Sequence, residues 1–286
     1  MNGVVVLDKP EGKTSHDMVN FMRRLTGIRR IGHTGTLDPM ATGVLPICIG
    51  SAAKAADMLM LADKRYTAEL TLGITTDTED ISGNVITREN VSVEKHKTEE
   101  TVKSFVGESE QIPPMYSAIK QNGKKLYELA RQGIEVEREK RKIIIFSIDI
   151  LDISENTLKI DVHCSKGTYI RTLCADIGKK LGTGACMTSL RRTASGRFTE
   201  KDAFTPEELS IMNVEDAVIK TDRLFAEYPE IHLNEKQTKS IVNGVRMTWR
   251  GGHEGQRYRL YDMNNSFLCI SKCVDGRLWL EKSFWN

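Results

Sequence analysis

Short runs of apolar residues alternate along the chain with polar turns, and their spacing predicts both strands and helices. Residues 4–7 form an apolar run bounded by turn residues, which predicts a short buried strand. Apolar side chains then recur three or four positions apart, which predicts a helix from a cap at Thr14 or Ser15 to Gly27. A second helix, rich in alanine, is predicted over residues 51–62.

The middle of the chain adds strands and one further amphipathic helix. Residues 66–72 alternate between apolar and polar types, and residues 143–151 and 158–162 are predicted to be paired strands. A turn at residues 165–167 leads into a helix over residues 170–181 whose apolar side chains share one face. Since strands and helices do not alternate strictly, we predict an α+β fold with a mixed, largely antiparallel central sheet flanked by helices.

The pattern changes near residue 230, where we place a boundary between residues 1–229 and a C-terminal unit of residues 230–286. An Asn234 cap with Gln237 three positions later predicts a short helix that ends at Gly244. Predicted strands and hairpin turns then follow in the order 258–261, Asn264–Asn265, 267–270, Asp275–Gly276 and 278–280. This series of short strands predicts a small β-barrel.

Composition narrows the class of protein. The formal net charge of +2 is too small to indicate a nucleic-acid-binding protein by itself, so any basic surface must be local. The six cysteines form no Cys-x-x-Cys pair, which favours reduced, buried thiols and argues against a zinc site. The chain shows no apolar signal segment and no run long enough to span a membrane, so we expect a soluble, cytoplasmic protein.

Asp38 is the one carboxylate in the segment Gly32–Pro46, whose sequence is GHTGTLDPMATGVLP. Glycine, proline and threonine dominate this segment, which predicts a shaped loop. Glycines adopt positive φ at little cost, and Pro39 restricts Asp38 to extended geometry. A carboxylate held in this way is a candidate nucleophile or base, although Asp-Pro also opens ordinary turns. Loop chemistry alone leaves both interpretations open.

Five segments of the chain resemble motifs of the TruB family, the tRNA pseudouridine-55 synthases. Gly32–Pro46 is similar to the motif that carries the catalytic aspartate of this family. The other matching segments are Asp8–Pro10 (DKP), Lys64–Tyr66 (KRY), Gln111–Ala118 (QIPPMYSA) and Ser165–Thr172 (SKGTYIRT). Their order and spacing also agree with the family, so coincidence is a poor explanation for the resemblance.

The resemblance implies the pseudouridine synthase fold, a C-terminal PUA-type RNA-binding unit, and isomerisation of uridine 55 in the T-loop of tRNA. That reaction breaks the N1–C1′ bond of a flipped-out uridine, rotates the base and rejoins it through C5. The family makes Asp38 the nucleophile, and its attack on C1′ or on C6 stays open. We expect no nucleotide cofactor and no metal, in keeping with the lack of Walker, His-Glu-x-x-His and Gly-x-Gly-x-x-Gly motifs.

Arg171 and Tyr66 are the other catalytic candidates. Arg171 lies in the first turn of a predicted helix, where the dipole disfavours a cation, so a nearby anion would explain its position. The family pairs this arginine with the catalytic aspartate, whereas the residue alone also fits a surface side chain. The family further places Tyr66 against the target base, and Tyr169 and Leu190 around the uridine. On sequence alone, Tyr66 and Leu190 fit an ordinary strand aromatic and a core leucine.

His33 and Lys9 are predicted to assist substrate binding. His33 lies between glycines at the loop rim, and the resemblance implies that its ring stacks in the space left by the flipped uridine. Lys9, with Pro10, is similar to a family pair that supports the active-site loop, although a simple turn also fits. Asp77 lies in an acidic loop that we predict to be exposed and not catalytic.

A basic segment is expected to bind tRNA, although lysine-rich stretches are usually solvated helix faces. Residues 120–142 carry eight basic and four acidic side chains with tyrosines close by. They match a family insertion, here about residues 112–142, that closes over the T-loop, and we expect this segment to be mobile until RNA binds. A second basic cluster begins at residue 191. The predicted RNA-binding residues are Lys120, Lys124, Lys125, Arg131, Arg141, Arg191 and Arg192.

Two alternative functions use the same surfaces. The first is a guide-RNA-dependent pseudouridine synthase within a larger particle, which the intact basic insertion and the short C-terminal unit disfavour. The second is an RNA-folding chaperone for tRNA whose biological role does not depend on the chemistry. We expect a stand-alone monomer that has tRNA as its partner and does not associate with membranes.

Overall fold

The computed structural model describes residues 1–92, 94–121 and 123–285, and this part of the chain contains twenty strands and seven α-helices. The strands are β1 (Gly3–Lys9), β2 (Ile31–His33), β3 (Thr42–Ile49), β4 (Lys64–Leu72), β5 (Ile74–Thr76), β6 (Val85–Arg88), β7 (Gly107–Gln111), β8 (Lys120–Gln121), β9 (Lys124–Lys125), β10 (Arg141–Ser154), β11 (Thr157–Cys164), β12 (Ala185–Ser195), β13 (Phe198–Thr199), β14 (Ala203–Phe204), β15 (Ile219–Lys220), β16 (Glu230–His232), β17 (Met247–Thr248), β18 (Arg257–Tyr261), β19 (Phe267–Val274) and β20 (Arg277–Ser283). The helices are α1 (Ser15–Thr26), α2 (Ala56–Met60), α3 (Lys95–Lys103), α4 (Leu126–Ala130), α5 (Ile170–Leu181), α6 (Pro206–Ile211) and α7 (Glu235–Val242). Short 3₁₀ helices cover Gly50–Ala55, Glu200–Asp202, Val214–Ala217 and Thr221–Phe225.

Eleven strands form the central sheet, whose main path runs β14-β1-β3-β12-β4-β11-β10-β7. Strands β2, β13 and β15 pair with β3, β12 and β1 beside this path. Most neighbours are antiparallel, whereas β1 with β14 and β3 with β12 are parallel. The predicted α+β fold with a mixed, largely antiparallel sheet is therefore confirmed.

Strand β1 is buried on both faces of the sheet, which explains its apolar sequence. Val5 and Leu7 belong to the main core with the apolar side chains of α1 and α5. Val4 and Val6 face a second apolar cluster that reaches Phe284, beyond the last strand. The central sheet therefore separates two apolar clusters, one on each face.

Helix α1 begins and ends as the sequence predicts, with Thr14 as its cap and Gly27 in the left-handed conformation after its last turn. The single helix predicted over residues 51–62 is wrong, because a 3₁₀ helix precedes the much shorter α2. Ala52 and Ala55 are three positions apart and fully buried. A 3₁₀ turn places such a pair on one side, where both can pack closely.

The C-terminal strands form a separate five-stranded sheet in the order β16-β18-β19-β20-β17. This sheet is curled around its own apolar cluster, which includes Leu260 and Leu278, as expected for a PUA-like unit. Asn265 and Asp275 have φ of 58° and 50°, so the two predicted hairpin turns use the left-handed conformation. The domain boundary at residue 230 stays a prediction. Within the described ranges, no helix has both the length and the apolar character needed to cross a membrane.

Candidate active site

Asp38 lies in the loop of residues 34–41 that connects β2 to β3. The sequence predicted a longer loop, but residues 42–46 already belong to β3. Val44 and Leu45 alternate between the two apolar clusters on either face of the sheet, and this burial extends the strand.

The residues on both sides of Asp38 are fixed by the neighbouring elements. The main-chain N–H of Leu37 donates to Oγ of Ser15 at 2.8 Å, and this hydroxyl donates back to the Leu37 carbonyl at 3.2 Å. The N–H of Gly12 donates to the carbonyl of Pro39 at 2.8 Å. The first turn of α1 therefore holds the loop in place. Sequence reasoning did not identify Ser15 in this role.

Lys9 has no exposed surface and lies beneath the same loop. Its Nζ donates to the carbonyls of Pro10, Lys13 and Pro39 at 2.8, 2.6 and 3.2 Å. Burial lowers the pKa of Lys9 to about 8. An enclosed ammonium group with three main-chain acceptors does not reach a nucleotide. The prediction that Lys9 binds substrate is thus corrected, and its contacts are those of a loop support.

Arg171 and Asp38 form a two-point ion pair. Nε of Arg171 lies 3.0 Å from Oδ2 of Asp38, and Nη2 lies 3.4 Å from Oδ1. The arginine side chain is 5% exposed and the aspartate side chain 33% exposed, so the carboxylate alone faces the open side of the site. Arg171 lies in the first turn of α5, and the anion predicted to compensate this position is present.

Asp80 contacts the other side of the same guanidinium. Its Oδ2 lies 3.4 Å from Nη1 of Arg171, and its side chain is 5% exposed. The other oxygen, Oδ1, accepts from Oγ1 of Thr78 at 2.8 Å and from the N–H of Ser82 at 3.0 Å. Sequence reasoning missed Asp80 because it described this whole loop as exposed, which holds for Asp77 but not for Asp80. The hydroxyl residues on either side of it were the available signal.

Opposing effects set the charge of Asp38. Burial raises the pKa of its carboxyl group above the ordinary aspartate value, and the nearby Asp80 charge adds to this. The charge of Arg171 and its hydrogen bond lower the pKa, but burial is the larger effect. Without Arg171, the pKa of this partly buried carboxyl group would be higher still. Arg171 therefore favours the ionised form of Asp38.

Tyr66 and Tyr169 lie beside this ion pair. Tyr66 is 9% exposed on β4, and burial raises the pKa of its phenol in the vicinity of Arg192 and Asp38. Burial also raises the pKa of Tyr169, on which the charges of Arg171 and Asp38 both act. Tyr169 precedes α5, and its N–H and carbonyl bond to the side-chain amide of Gln111 at 2.8 and 3.0 Å. The structure thus brings four of the predicted residues together.

Leu190 and His33 lie on β12 and β2 of the central sheet. Leu190 is buried on β12 and pairs with Ala68 of β4. His33 ends β2, and its Nδ1 accepts from the N–H of Gly35 at 3.3 Å. Burial, followed by the charge of Arg192, lowers the pKa of His33, so its ring is neutral at physiological pH.

The two arginines at the second basic cluster differ in their surroundings. Arg192 is 1% exposed, and its Nε and Nη2 donate to the carbonyls of Val44 and Gly35 at 2.7 and 3.2 Å. Its guanidinium is enclosed by the chain, so the structure does not present Arg192 to RNA, and its predicted role in RNA binding has no support from its position. Arg191 is more exposed, yet it already pairs with Asp8 at 2.8 Å and with Glu200.

The basic segment of residues 120–142 lies at the surface. It contains the hairpin of β8 and β9 followed by α4. Nζ of Lys125 donates to the hydroxyl of Tyr127 at 3.2 Å, and Lys125 and Arg131 lie 5.3 and 5.5 Å from the centre of the Tyr127 ring. The exposed side chains among the predicted RNA-binding residues are Lys120, Lys124, Arg131 and Arg141. These charges are accessible to phosphates.

Three family models match the chain in succession. Residues 23–170 match the model described as TruB family pseudouridylate synthase, N-terminal domain. Residues 171–225 match the tRNA pseudouridylate synthase B C-terminal domain, and residues 229–279 match the model described as pseudouridine synthase II TruB, C-terminal.

Proteins named tRNA pseudouridine synthase B are similar to the chain over nearly all of it. The protein of Clostridium kluyveri is 44% identical over 288 residues, which cover 99% of this chain and 100% of that protein. The protein of Alkaliphilus oremlandii is 50% identical over 253 residues, covering 86% and 83%.

Solved structures with the same fold include one titled as a crystal structure of a Cbf5-Nop10-Gar1 complex. It matches with a TM-score of 0.75 and 25% identity, over 99% of this chain and 85% of the other. An archaeal box H/ACA sRNP Nop10-Cbf5 complex matches with a TM-score of 0.71 at 25% identity, over 99% and 86%. From the family models and the identity to full-length relatives, the chain belongs to the TruB family of pseudouridylate synthases.

Proposed function

We propose that this protein isomerises uridine to pseudouridine in tRNA, at position 55 of the T-loop, with Asp38 as the nucleophile. The observation that carries the proposal is the two-point contact between Asp38 and the buried Arg171, within the loop that matches the family motif. The relatives named tRNA pseudouridine synthase B support the same activity and the same RNA class.

The chemistry follows from the charges around Asp38. A carboxylate oxygen attacks C1′ or C6 of the flipped uridine, the N1–C1′ bond breaks, and the base rotates. The C5–C1′ bond then forms, and the bond between the Asp38 oxygen and the substrate breaks so that the carboxylate is regenerated. C5 loses its proton and N1 gains one, so the product is an isomer of the substrate. The nucleophile must be ionised while the base covers it, and Arg171 offsets that desolvation with an ion-pair contact at 3.0 Å and a hydrogen bond at 3.4 Å.

The residues around the ion pair receive the base. Tyr66 stacks on the uracil from β4, while Tyr169 and Leu190 enclose it. His33 stands at the rim of the loop as a neutral ring and fills the place that the uridine leaves. Unstacking a base costs a few kcal/mol, and an inserted ring returns part of this.

Binding of the tRNA uses two surfaces, and the chain acts as a stand-alone cytoplasmic monomer. The basic segment of residues 120–142 closes over the T-loop with its exposed lysines and arginines. The C-terminal unit of residues 230–286 binds a further part of the tRNA. There the guanidinium of Arg246 lies 3.5 Å from the centre of the Trp279 ring, which offers charge and a stacking face together.

The test is release of tritium from tRNA labelled at C5 of uridine. Wild-type protein releases tritium and forms pseudouridine, whereas Asp38→Asn releases none and still binds the tRNA. Asp77→Asn is the matched control, because Asp77 is an exposed acid that accepts from Asn84 and keeps an acceptor oxygen after substitution. Substantial tritium release by Asp38→Asn would contradict the assignment of Asp38 as the nucleophile.

The target position is settled by mapping pseudouridines in tRNA after treatment with the protein. A single new pseudouridine at position 55 of the T-loop is expected, and modification elsewhere or none at all contradicts the proposed site. A separate measurement of tRNA folding tests the chaperone alternative, since a chaperone would change tRNA folding equally well with Asp38→Asn.

A further inference from the structure

Three consecutive residues of the loop between β5 and β6 contact two consecutive residues of α5. The carbonyl of Thr78 and the carboxylate of Asp80 accept from Nη1 of Arg171, at 3.2 and 3.4 Å. Between them, Glu79 turns to the neighbouring residue, and its Oε2 accepts from Oγ1 of Thr172 at 2.6 Å. The loop therefore holds the start of α5 at two adjacent side chains.

The backbone of Glu79 is specialised for this arrangement. Its φ of 65° lies in the left-handed region, which a residue with a Cβ rarely adopts. This turn points Glu79 toward Thr172 while both of its neighbours face Arg171. The loop is also bonded to β12, because the N–H of Met187 donates to the Glu79 carbonyl at 3.0 Å and the N–H of Ile81 donates to the Met187 carbonyl at 2.9 Å.

The Glu79 carboxyl group lies in a restricted environment. Burial raises its pKa, and the hydrogen bond from Thr172 and the charge of Arg171 lower it. Asp176 on α5 raises the pKa further, and Arg138 from the basic segment lowers it. A hydrogen bond in such a half-buried place is stronger than one in water, so it fixes the distance between the loop and the helix.

We propose that Glu79 and Thr172 form a latch that positions Arg171 for the reaction. Without it, the start of α5 moves away from the loop, which stays bonded to β12, and Nη1 of Arg171 loses the Thr78 and Asp80 acceptors together. The guanidinium then no longer holds its angle to Asp38. Glu79 and Thr172 are positioning residues, since they act through Arg171. This role rests on the proposed function.

Thr172 offers a matched pair of variants. Thr172→Val keeps the shape of the side chain and removes the hydroxyl, whereas Thr172→Ser keeps the hydroxyl and removes a methyl group. We expect Thr172→Val to lower kcat for pseudouridine formation by about tenfold, as a displaced reacting group does, with little change in KM for tRNA. Thr172→Ser should restore kcat to within about twofold of wild type.

Variants of Glu79 test whether kcat depends on the carboxyl group of this residue or only on its backbone conformation. Glu79→Gly relieves the left-handed strain but removes the acceptor, so kcat should fall about tenfold while the melting temperature holds or rises. Glu79→Gln keeps an acceptor oxygen and should lower kcat less than Glu79→Gly does. Because the two residues act as one unit, Glu79→Gly combined with Thr172→Val should lower kcat no further than either single change.

The outcomes separate the latch from the proposed function. Wild-type protein and Asp77→Asn must both form pseudouridine, and an inactive wild type overturns the proposed function itself. If the wild type is active and Thr172→Val retains full kcat, the latch is wrong. The latch is also wrong if Glu79→Gly is fully active, or if both changes raise KM and leave kcat unaltered.

Discussion

Arg171 faces Asp38 with two donor atoms, since Nε lies 3.0 Å from one carboxylate oxygen and Nη2 lies 3.4 Å from the other. Nη2 also donates to the carbonyl of Tyr116 at 2.7 Å. Nη1 donates to the carbonyl of Thr78 and to the carboxylate of Asp80. Every nitrogen of the guanidinium therefore lies within 3.4 Å of an oxygen atom. A planar fork held in this way fixes the orientation of the carboxylate it faces.

Arg171→Lys should lower kcat by about a hundredfold, because one ammonium group cannot face both oxygens of Asp38 and also reach Asp80. Single-turnover pseudouridine formation with saturating tRNA measures this change. Lys179→Arg, at the exposed end of the same helix, is the control and should leave the rate within about twofold of wild type. Comparable rates for Arg171→Lys and the control would contradict the proposed role of the fork.

Ionisation of Asp38 should raise the activity and lower the stability of the folded protein. Its pKa is raised in the folded protein, so pseudouridine formation should fall as the pH is lowered through that raised pKa. The buried charge also costs stability once the pH exceeds the raised pKa. Asp38→Asn should therefore raise the melting temperature by about 2 °C at pH 8, and the gain should vanish at acidic pH. Thermal unfolding from pH 4 to pH 8 measures the difference, and a gain that grows on acidification would contradict it.

Lys9 should make the free energy of unfolding vary with pH in the alkaline range. Its pKa is about 8 in the folded protein and about 10.5 when unfolded, so the unfolded chain binds more protons between these values. Stability should rise through this window, by about 1 kcal/mol per pH unit at most, and Lys9→Met should lack this part of the rise. Urea unfolding at pH 7.5, 9 and 10 tests the difference. Lys64, whose pKa is also lowered to about 8, contributes equally to both proteins.

Lys124 and Arg192 should respond differently to substitution. Lys124 is exposed, so Lys124→Ala should weaken tRNA binding and reduce the slope of log K against log salt concentration by about one. Arg192 donates to two buried carbonyls, so Arg192→Met should lower the melting temperature and leave the salt slope unchanged. Filter binding at several salt concentrations measures both slopes. A reduced slope for Arg192→Met would restore its RNA-binding role.

Gly43 should tolerate no side chain. Its φ is 100°, and a Cβ there would lie 2.3 Å from the carbonyl oxygen of Arg192 on the adjacent strand. Gly43→Ala should thus destabilise the protein by about 3 kcal/mol. Gly32→Ala is the matched control from the same segment, because a Cβ at Gly32 meets nothing within 4 Å. Chemical denaturation compares the two, and equal stabilities would show that β3 can move away from β12.

The sequence predicted well where a local pattern has one structural solution. The capped helix α1, the paired strands β10 and β11 and the left-handed hairpin turns all follow from spacing and turn residues. Asp38 and Arg171 were identified by the family resemblance and by the need for an anion near a helix start. Distant packing was not predictable in this way. The hydroxyl residues beside Asp80 are only a weak signal that it is buried while Asp77 is exposed, and Arg192 is buried because β3 pairs with β12.

The pairing of Gln111 with Arg141 makes much of the basic segment replaceable as a unit. These two residues are cross-strand neighbours on β7 and β10. The chain therefore leaves the central sheet and returns to it at directly paired positions. The entropy of closing such an excursion changes only with the logarithm of its length, so residues 118–140 can be shortened or replaced at small cost to the fold. Gln111 must be kept, because its side-chain amide holds the main chain of Tyr169. Tyr116 must be kept as well, because its carbonyl accepts from Nη2 of Arg171 at 2.7 Å. The fold can thus accept a different segment after Tyr116 without disturbing the ion pair of Asp38 and Arg171.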